Sequence, residues 1–245
     1  MTQSPIEVPM RSGLCSVCAS DVTFLDTGSR SIRENYACPV CDATLRYRHQ
    51  AAVIVELYGV KPAASISAVA RAGGFADLDV YEPGVIGPFR DLLASAGSYI
   101  QSYFWPDVPT GELHKGTRCE NVEALTFPDE TFDLVISSDI FEHVRHPMTG
   151  FQEIRRVLKR GGRHVFTVPV RWPPSEPTHS RVDTSGRGDV YLDEPRYHGS
   201  PIDPRGSLVY TDFGFDLVEE LERIGYDTTL YKGEKYNVTF CTVRP

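Results

Sequence analysis

Short apolar runs alternate with segments of helical spacing along most of this chain. Residues 78–81, 99–104 and 132–137 read as strands, and residues 117–122 offer another. The run Phe132-Asp133-Leu134-Val135-Ile136-Ser137 is nearly continuous in apolar side chains, which marks a strand buried on both faces. Residues 45–58 carry Val53, Ile54, Leu57 and Tyr58 as an apolar stripe, and residues 148–159 carry Phe151, Ile154, Val157 and Leu158 at spacings of three and four. Gly59 with Pro62, and Gly161-Gly162, stop these two helices. A helix is also read at 87–96, a strand at 163–168 and a helix at 212–224. Strands at 228–231 and 237–243 around Gly233 predict a closing hairpin. Alternation of this kind predicts a mostly parallel sheet with helices on both faces.

Residues 169–209 break the pattern. Seven of them are proline, and so long an irregular segment inside a compact unit is usually functional. It follows a strand, where folds of this kind place their active-site loops, so it is expected to be a lid or a wall for a bound molecule. The N-terminal region differs again. Cys15-Ser-Val-Cys18 and Cys38-Pro-Val-Cys41 are separated by 19 residues, a spacing suited to a four-thiolate zinc site. Each pair places two thiolates on one side of a tight turn, and a hairpin between them completes a tetrahedral shell with no open position, so the metal is structural. The chain divides into a tail at 1–12, a zinc ribbon at 13–45, a linking helix at 46–62 and a main domain at 63–245 with its insertion at 169–209. Arg46, Arg48, His49 and Gln50 open the linking helix and are read as solvated residues at a helix end, with binding of an anionic substrate as the alternative.

Length and charge narrow the classes. The 245 residues suit one large domain or one plus a small module, with 41% hydrophobic and 24% charged residues. No run approaches the ~20 apolar residues that span a bilayer, and the start lacks the basic and apolar parts of an export signal. Four of the six cysteines stand in pairs of metal-binding type, so a reducing, cytoplasmic setting is expected. A formal charge of -8 argues against nucleic acid as the main partner.

The strand ending at Glu82 runs into a turn with Gly84 and Gly87, which allows a ligand close to the backbone. A carboxylate before the glycines opposes a pyrophosphate, and the turn fails the dinucleotide pattern, so NAD is not expected. Glu82-x-Gly84-x-x-Gly87, residues 125–135, Ser138-Asp139-Ile140-Phe141-Glu142-His143-Val144 and Glu153-Ile154-x-Arg156-Val157-Leu158-Lys159-x-Gly161-Gly162, in that order, resemble the class I S-adenosylmethionine-dependent methyltransferases of the type 11 group. The ribbon together with residues 197–201 and 206–214 is similar to a bacterial subgroup that methylates sugars or specialised metabolites.

The resemblance implies a Rossmann-like α/β fold with a mostly parallel seven-stranded sheet beside the zinc ribbon. It also implies S-adenosylmethionine and structural Zn2+ as bound groups. Glu82, Gly84 and Gly87 would lie at the methionine end of the donor, Ser102 and Tyr103 near its ribose, Glu120, Asn121 and Val122 near its adenine, and Asp139 beside the methionine moiety. The ribose place lacks the family's usual carboxylate. A hydroxyl acceptor needs a base, and His143, His179 and His198 are the candidates, with Trp172, Tyr191 and Tyr197 as aromatic walls. The implied function is O-methylation of a small-molecule or glycan acceptor. The alternatives are a ribosomal RNA base methyltransferase and a non-catalytic module that only binds the donor.

Overall fold

The computed structural model describes residues 2–59, 61–200, 202–234 and 237–245; Met1, Val60 and Pro201, which enter the sequence reading, lie outside them. Along the chain run β1 (Thr2–Pro5), β2 (Ser12–Leu14), β3 (Asp21–Thr23), α1 (Leu45–Tyr58), α2 (Ile66–Arg71), β4 (Asp79–Pro83), α3 (Arg90–Leu93), β5 (Ser98–Tyr103), β6 (Leu113–His114), β7 (Thr117–Cys119), β8 (Phe132–Ser138), α4 (Pro147–Val157) and β9 (Leu158–Thr167). Six two-residue strands follow: β10 (His179–Ser180), β11 (Val182–Asp183), β12 (Val190–Tyr191), β13 (Tyr197–His198), β14 (Ser207–Leu208) and β15 (Thr211–Asp212). The chain closes with α5 (Leu217–Arg223), β16 (Asp227–Lys232) and β17 (Val238–Val243).

One sheet has the order β1-β16-β17-β9-β8-β4-β5-β7-β6. Strands β7, β5, β4, β8 and β9 are parallel, β17 is antiparallel to β9, and β16 pairs antiparallel with β17. Removing the edge strands β1 and β6 leaves the seven-stranded α/β sheet of the Rossmann-like methyltransferase fold. The strand order reverses between β4 and β8, and the crevice above the carboxyl ends of these strands is where such sheets bind ligands.

Alternation along the strands splits the core between the two faces. Tyr81, Val135, Phe166 and Phe240 pack with Phe151 and Ile154 of α4 and with Val218 and Leu221 of α5. Val80, Leu134, Ile136, Val165 and Cys241 pack with Ala51, Val53 and Ile54 of α1 and with Ile66 and Val69 of α2. Cys15, Val17, Phe24 and Cys38 of the ribbon belong to that second cluster. Helix α1 therefore lies on the sheet, and the ribbon shares its core.

Several elements are shorter than the sequence pattern predicts. The 87–96 helix reduces to α3 because Gly87 has φ +152° and Pro88 follows it. Helix α4 stops at Val157 because Leu158 already pairs with Phe132 in the sheet. The 212–224 helix begins only at Leu217, since Asp212 pairs with His179 and Phe213 bridges to Val170. In the ribbon, β2 and β3 form the hairpin and Leu25 bridges to Ala37. The pairing of β1 with β16 has no counterpart in the pattern of apolar residues.

His164 of β9 is fully buried, with Nε2 2.8 Å from Ser137 Oγ and its ring stacked on Phe166. Burial pushes its pKa down to about 3, below that of the unfolded chain. The unfolded chain therefore takes up a proton as pH falls below ~6.5 and the folded one does not, so this residue's contribution to stability is lost as pH falls through that window. We expect His164→Gln to make the fall in unfolding free energy between pH 6 and pH 4 shallower by about 1.4 kcal/mol per pH unit, measured by urea titration at a series of pH values.

Candidate functional site

A cavity of about 1090 Å³ opens above the carboxyl ends of β4, β5 and β8. Gly84, Tyr103, Asn121 and Asp139 line it from the strand ends, Arg33 and Arg46 from the ribbon side, and Tyr197 and His198 from the insertion. At the mouth, Ile86, Phe104 and Ile202 are more than 40% exposed, an apolar rim suited to the flat face of a ring.

The glycine turn is built as its residues require. Gly84 has φ +118°, and a Cβ there would meet Ile140 Cδ1 at 3.3 Å. Its N–H donates to Ser102 O at 2.7 Å, which holds the turn against the end of β5. Gly87 does not line the cavity; it packs over the Tyr47 ring and Glu82. Glu82 is buried and accepts a hydrogen bond from Tyr99 Oη. Burial, opposed by that bond, pushes its carboxyl up to about 7, so it orders the turn from below.

The remaining strand-end candidates, Ser102, Tyr103, Glu120, Asn121 and Val122, all line the cavity. Ser102 Oγ is bonded to the buried Tyr81 Oη at 2.7 Å, and Tyr103 packs edge-on against Trp105. The Glu120 carboxylate is taken up by Arg118 Nε at 2.6 Å and by the Thr126 N–H at 2.9 Å. Asn121 Oδ1 accepts from the Glu123 N–H at 2.9 Å, and Asn121 and Val122 both line the cavity.

Asp139 carries the strongest electrostatics. Arg33 donates to it through both terminal nitrogens, at 3.0 and 2.8 Å, and Thr167 Oγ1 donates at 2.8 Å. Arg46 Nε lies 3.4 Å from it and 2.5 Å from Glu34. Burial alone would raise the Asp139 pKa, but the two guanidinium charges and these hydrogen bonds hold it well below the usual carboxylate range. The backbone at Asp139 has φ +51°, a conformation that aspartate tolerates better than most residues and that clusters at functional sites.

The three histidine candidates do not share one place. His143 and His198 line the cavity with ring centroids 4.6 Å apart. His143 Nδ1 is 2.8 Å from Leu208 O, which fixes the proton on Nδ1 and leaves Nε2 as the acceptor. Burial pushes the His143 pKa down to about 4, and the pKa of His198 is lowered by the same cause, so both rings are neutral at pH 7. His179 does not line the cavity. Its Nε2 lies 2.6 Å from Asp193 Oδ2 on the outer part of the insertion, because β10 pairs with β15 and carries it away. Of the aromatic candidates, Tyr197 lines the cavity, whereas Trp172 and Tyr191 do not.

The sequence reading placed the basic start of α1 in solvent, and this is corrected. Arg46, Arg48, His49 and Gln50 are all buried. Arg48 donates to Pro9 O and Tyr36 O and lies over the Phe24 ring, joining the tail and the ribbon to the helix. Gln50 Nε2 donates to Ser137 O and Val165 O, while its Oε1 accepts from Ser138 Oγ.

In the ribbon, Cys15 Sγ and Cys41 Sγ are 3.8 Å apart, and Cys18 Sγ and Cys38 Sγ 3.7 Å. A tetrahedron with zinc–sulfur arms of ~2.3 Å has edges of ~3.8 Å, so the four thiolates fit zinc. Zinc there would cross-link the two turns that frame Arg33 and Glu34. Two outcomes follow. Purified protein should contain one zinc per chain by metal analysis, and Cys38→Ser should hold less than half an equivalent and unfold over the whole unit, because Cys38 sits in the shared core. Arg33→Ala should cost about 3–5 kcal/mol in a urea titration, since it strips a buried carboxylate of its main partner.

Residues 106–166 match a family described as "Methyltransferase domain". An uncharacterized protein of Methanocaldococcus jannaschii is 42% identical over 50 residues, a match covering 20% of this chain and 22% of that protein's length. Among solved structures, the chain is similar to an S-adenosylmethionine dependent methyltransferase from Mesorhizobium loti (16% identity, 72% of this chain, 96% of that one, TM-score 0.46). It is also similar to a chain in the complex between the Haloferax volcanii Trm112 methyltransferase activator and a methyltransferase (14% identity, 82% and 90%, TM-score 0.49). Residues 106–166 thus carry a match to a methyltransferase domain, set in a sheet of Rossmann-like α/β order. Among the described residues, no helix is long and apolar enough to cross a membrane.

Proposed function

We propose that this methyltransferase moves the methyl group of S-adenosylmethionine to a hydroxyl oxygen of a sugar or specialised metabolite. The observation that carries the reading is the shape of the acceptor end. The 196–210 stretch of the insertion and the ribbon residues Ser31, Arg33 and Glu34 wall one cavity from opposite sides. Its volume of about 1090 Å³ lies at the upper end for small-molecule sites, which leaves room for the donor and a compact acceptor together. The RNA reading is weaker, since of the basic cluster Arg30, Arg33, Arg46 and Arg48 only Arg30 is exposed, and the other three are buried and engaged with Asp139, Glu34 and backbone carbonyls. One exposed guanidinium is a poor surface for a phosphate backbone.

In this reading Gly84 and Asp139 lie at the methionine end of the donor, Ser102 and Tyr103 near the ribose, and Glu120, Asn121 and Val122 at the adenine, all lining the cavity, with Glu82 and Gly87 shaping the turn from behind. S-adenosylmethionine supplies a methyl group already activated on a sulfonium. The acceptor oxygen forms its bond to the methyl carbon as the carbon–sulfur bond breaks, and that electron pair stays on sulfur as a neutral thioether. The hydroxyl proton is removed at the His143–His198 pair. Alignment supplies most of the rate, and proton removal contributes a further ~10²–10⁴-fold.

Calorimetry with S-adenosylmethionine and its demethylated product should give dissociation constants in the low micromolar range and no binding of NAD. Gly84→Val should weaken both by at least about tenfold, or ~1.4 kcal/mol, because the added side chain enters the turn at positive φ. Transfer of labelled methyl to a panel of nucleotide sugars, free glycosides and phenols should label at least one. Label appearing only in ribosomal RNA would overturn the reading.

A further inference from the structure

We infer that Glu142, His143 and His198 form a second metal site, for a first-row divalent cation, at the acceptor end of the cavity. Their ligand atoms lie within 4.8 Å of one another. Glu142 is 1% exposed, and neither of its carboxylate oxygens has a hydrogen-bond partner. A carboxylate buried in that state is costly, so it takes a proton unless something positive meets it. The nearby guanidinium groups do not meet this need: Arg33 is spent on Asp139, and Arg46 lies between Asp139 and Glu34.

The geometry favours a cation over a bridging water. Glu142 Oε1 and His143 Nε2 are 3.8 Å apart, too far for a direct hydrogen bond. An ion with arms of ~2.1 Å spans that gap at an angle of ~130°. The oxygens are also inaccessible to solvent. The bond from His143 Nδ1–H to Leu208 O is the second contact that a metal-ligating imidazole makes, fixing the ring and turning the Nε2 lone pair to the ion. His198 arrives from β13 with its ring 4.6 Å from that of His143. Two imidazoles and one carboxylate suit zinc, iron(II) or cobalt(II) better than magnesium or calcium, and three protein ligands leave open positions for an acceptor oxygen.

The proposal deepens the methyl-transfer reading and rests on it only for the role of the ion: an acceptor hydroxyl bound there loses its proton to solvent more readily, and the histidine pair acts through the ion. Occupancy is read without turnover. Protein whose ribbon holds zinc is titrated with Co2+ and followed by visible absorption. One further equivalent should bind with ligand-field bands and no thiolate-to-cobalt charge transfer. His198→Ala and Glu142→Gln should each weaken it at least tenfold, and His179→Ala should not. No second equivalent, cobalt entering only with charge-transfer bands, or unchanged affinity in both site variants would overturn the assignment. Donor binding by calorimetry on the same samples tests the methyl-transfer reading separately, since it does not need the second metal.

Discussion

The site depends on one buried ion pair, Arg33 with Asp139, made across 106 residues of chain. Arg33 stands in a short 3-10 turn of the ribbon, and Asp139 follows the end of β8. A buried pair of this kind adds little net stability, because desolvating both charges offsets most of their attraction. Its value lies in position. The guanidinium reaches both carboxylate oxygens, which fixes its plane as well as its distance. Thr167 and the Asp139 N–H, which donates to Thr167 O at 3.0 Å, hold the acid from the β9 side. The left-handed backbone at Asp139 persists because partners on two sides leave it no other arrangement.

That constraint explains why the ribbon is packed into the main unit. The four clustered cysteines, which fit zinc, close the loop that carries Ile32–Glu34, and Arg48, Ser16 and the backbone of α2 anchor it: Ser16 O and Val17 O accept from the N–H groups of Ile66 and Ser67. A ribbon tethered only by a helix would let Arg33 swing away, leaving Asp139 with Arg46 at 3.4 Å as its one cationic partner beside Thr167. A zinc ion held by four thiolates there would have no open position, and the ribbon supplies Ser31, Arg33 and Glu34 to the cavity wall.

The central sheet and the residues at its strand ends were legible in the sequence because buried parallel strands leave near-continuous apolar runs and because four short motifs occur in order. Less legible was the polar half of α1. Arg46, His49 and Gln50 lie one and two turns before Val53 and Ile54 on the same face, so the apolar stripe continues as polar residues rather than turning to solvent. Read that way, the spacing marks a helix that buries charges, and buried charges need partners. Those partners, Asp139 and Glu34, lie far apart in sequence, and no local pattern joins them. His179 failed for the opposite reason: in an irregular insertion, proximity to the motif says nothing of direction, and the β10–β15 pairing decides it. The strand β1 was hidden because three polar residues and a proline carry no apolar signal while their backbone pairs with β16.

The insertion shows how a proline-rich stretch can be specific without a core of its own. Its three short ladders bury few side chains, with Val182 and Val209 among the exceptions, so its shape comes from hydrogen bonds and ion pairs. Asp212 receives Arg181 and Arg196, and Asp189 receives Arg145 and Tyr210. Exposed pairs of this kind are individually weak. The backbone contacts that bind the insertion to the sheet fall at the acceptor end, where Glu142 O accepts from the Tyr210 N–H and Leu208 O faces His143 Nδ1. The same few atoms that seat the insertion therefore orient His143. A change in the outer ladders can reshape the mouth without moving His143, whereas a change at Leu208 or Tyr210 must disturb the cavity wall beside His143. On this scaffold the outer loop can vary while His143, in the turn after β8, stays tied to the insertion through Leu208.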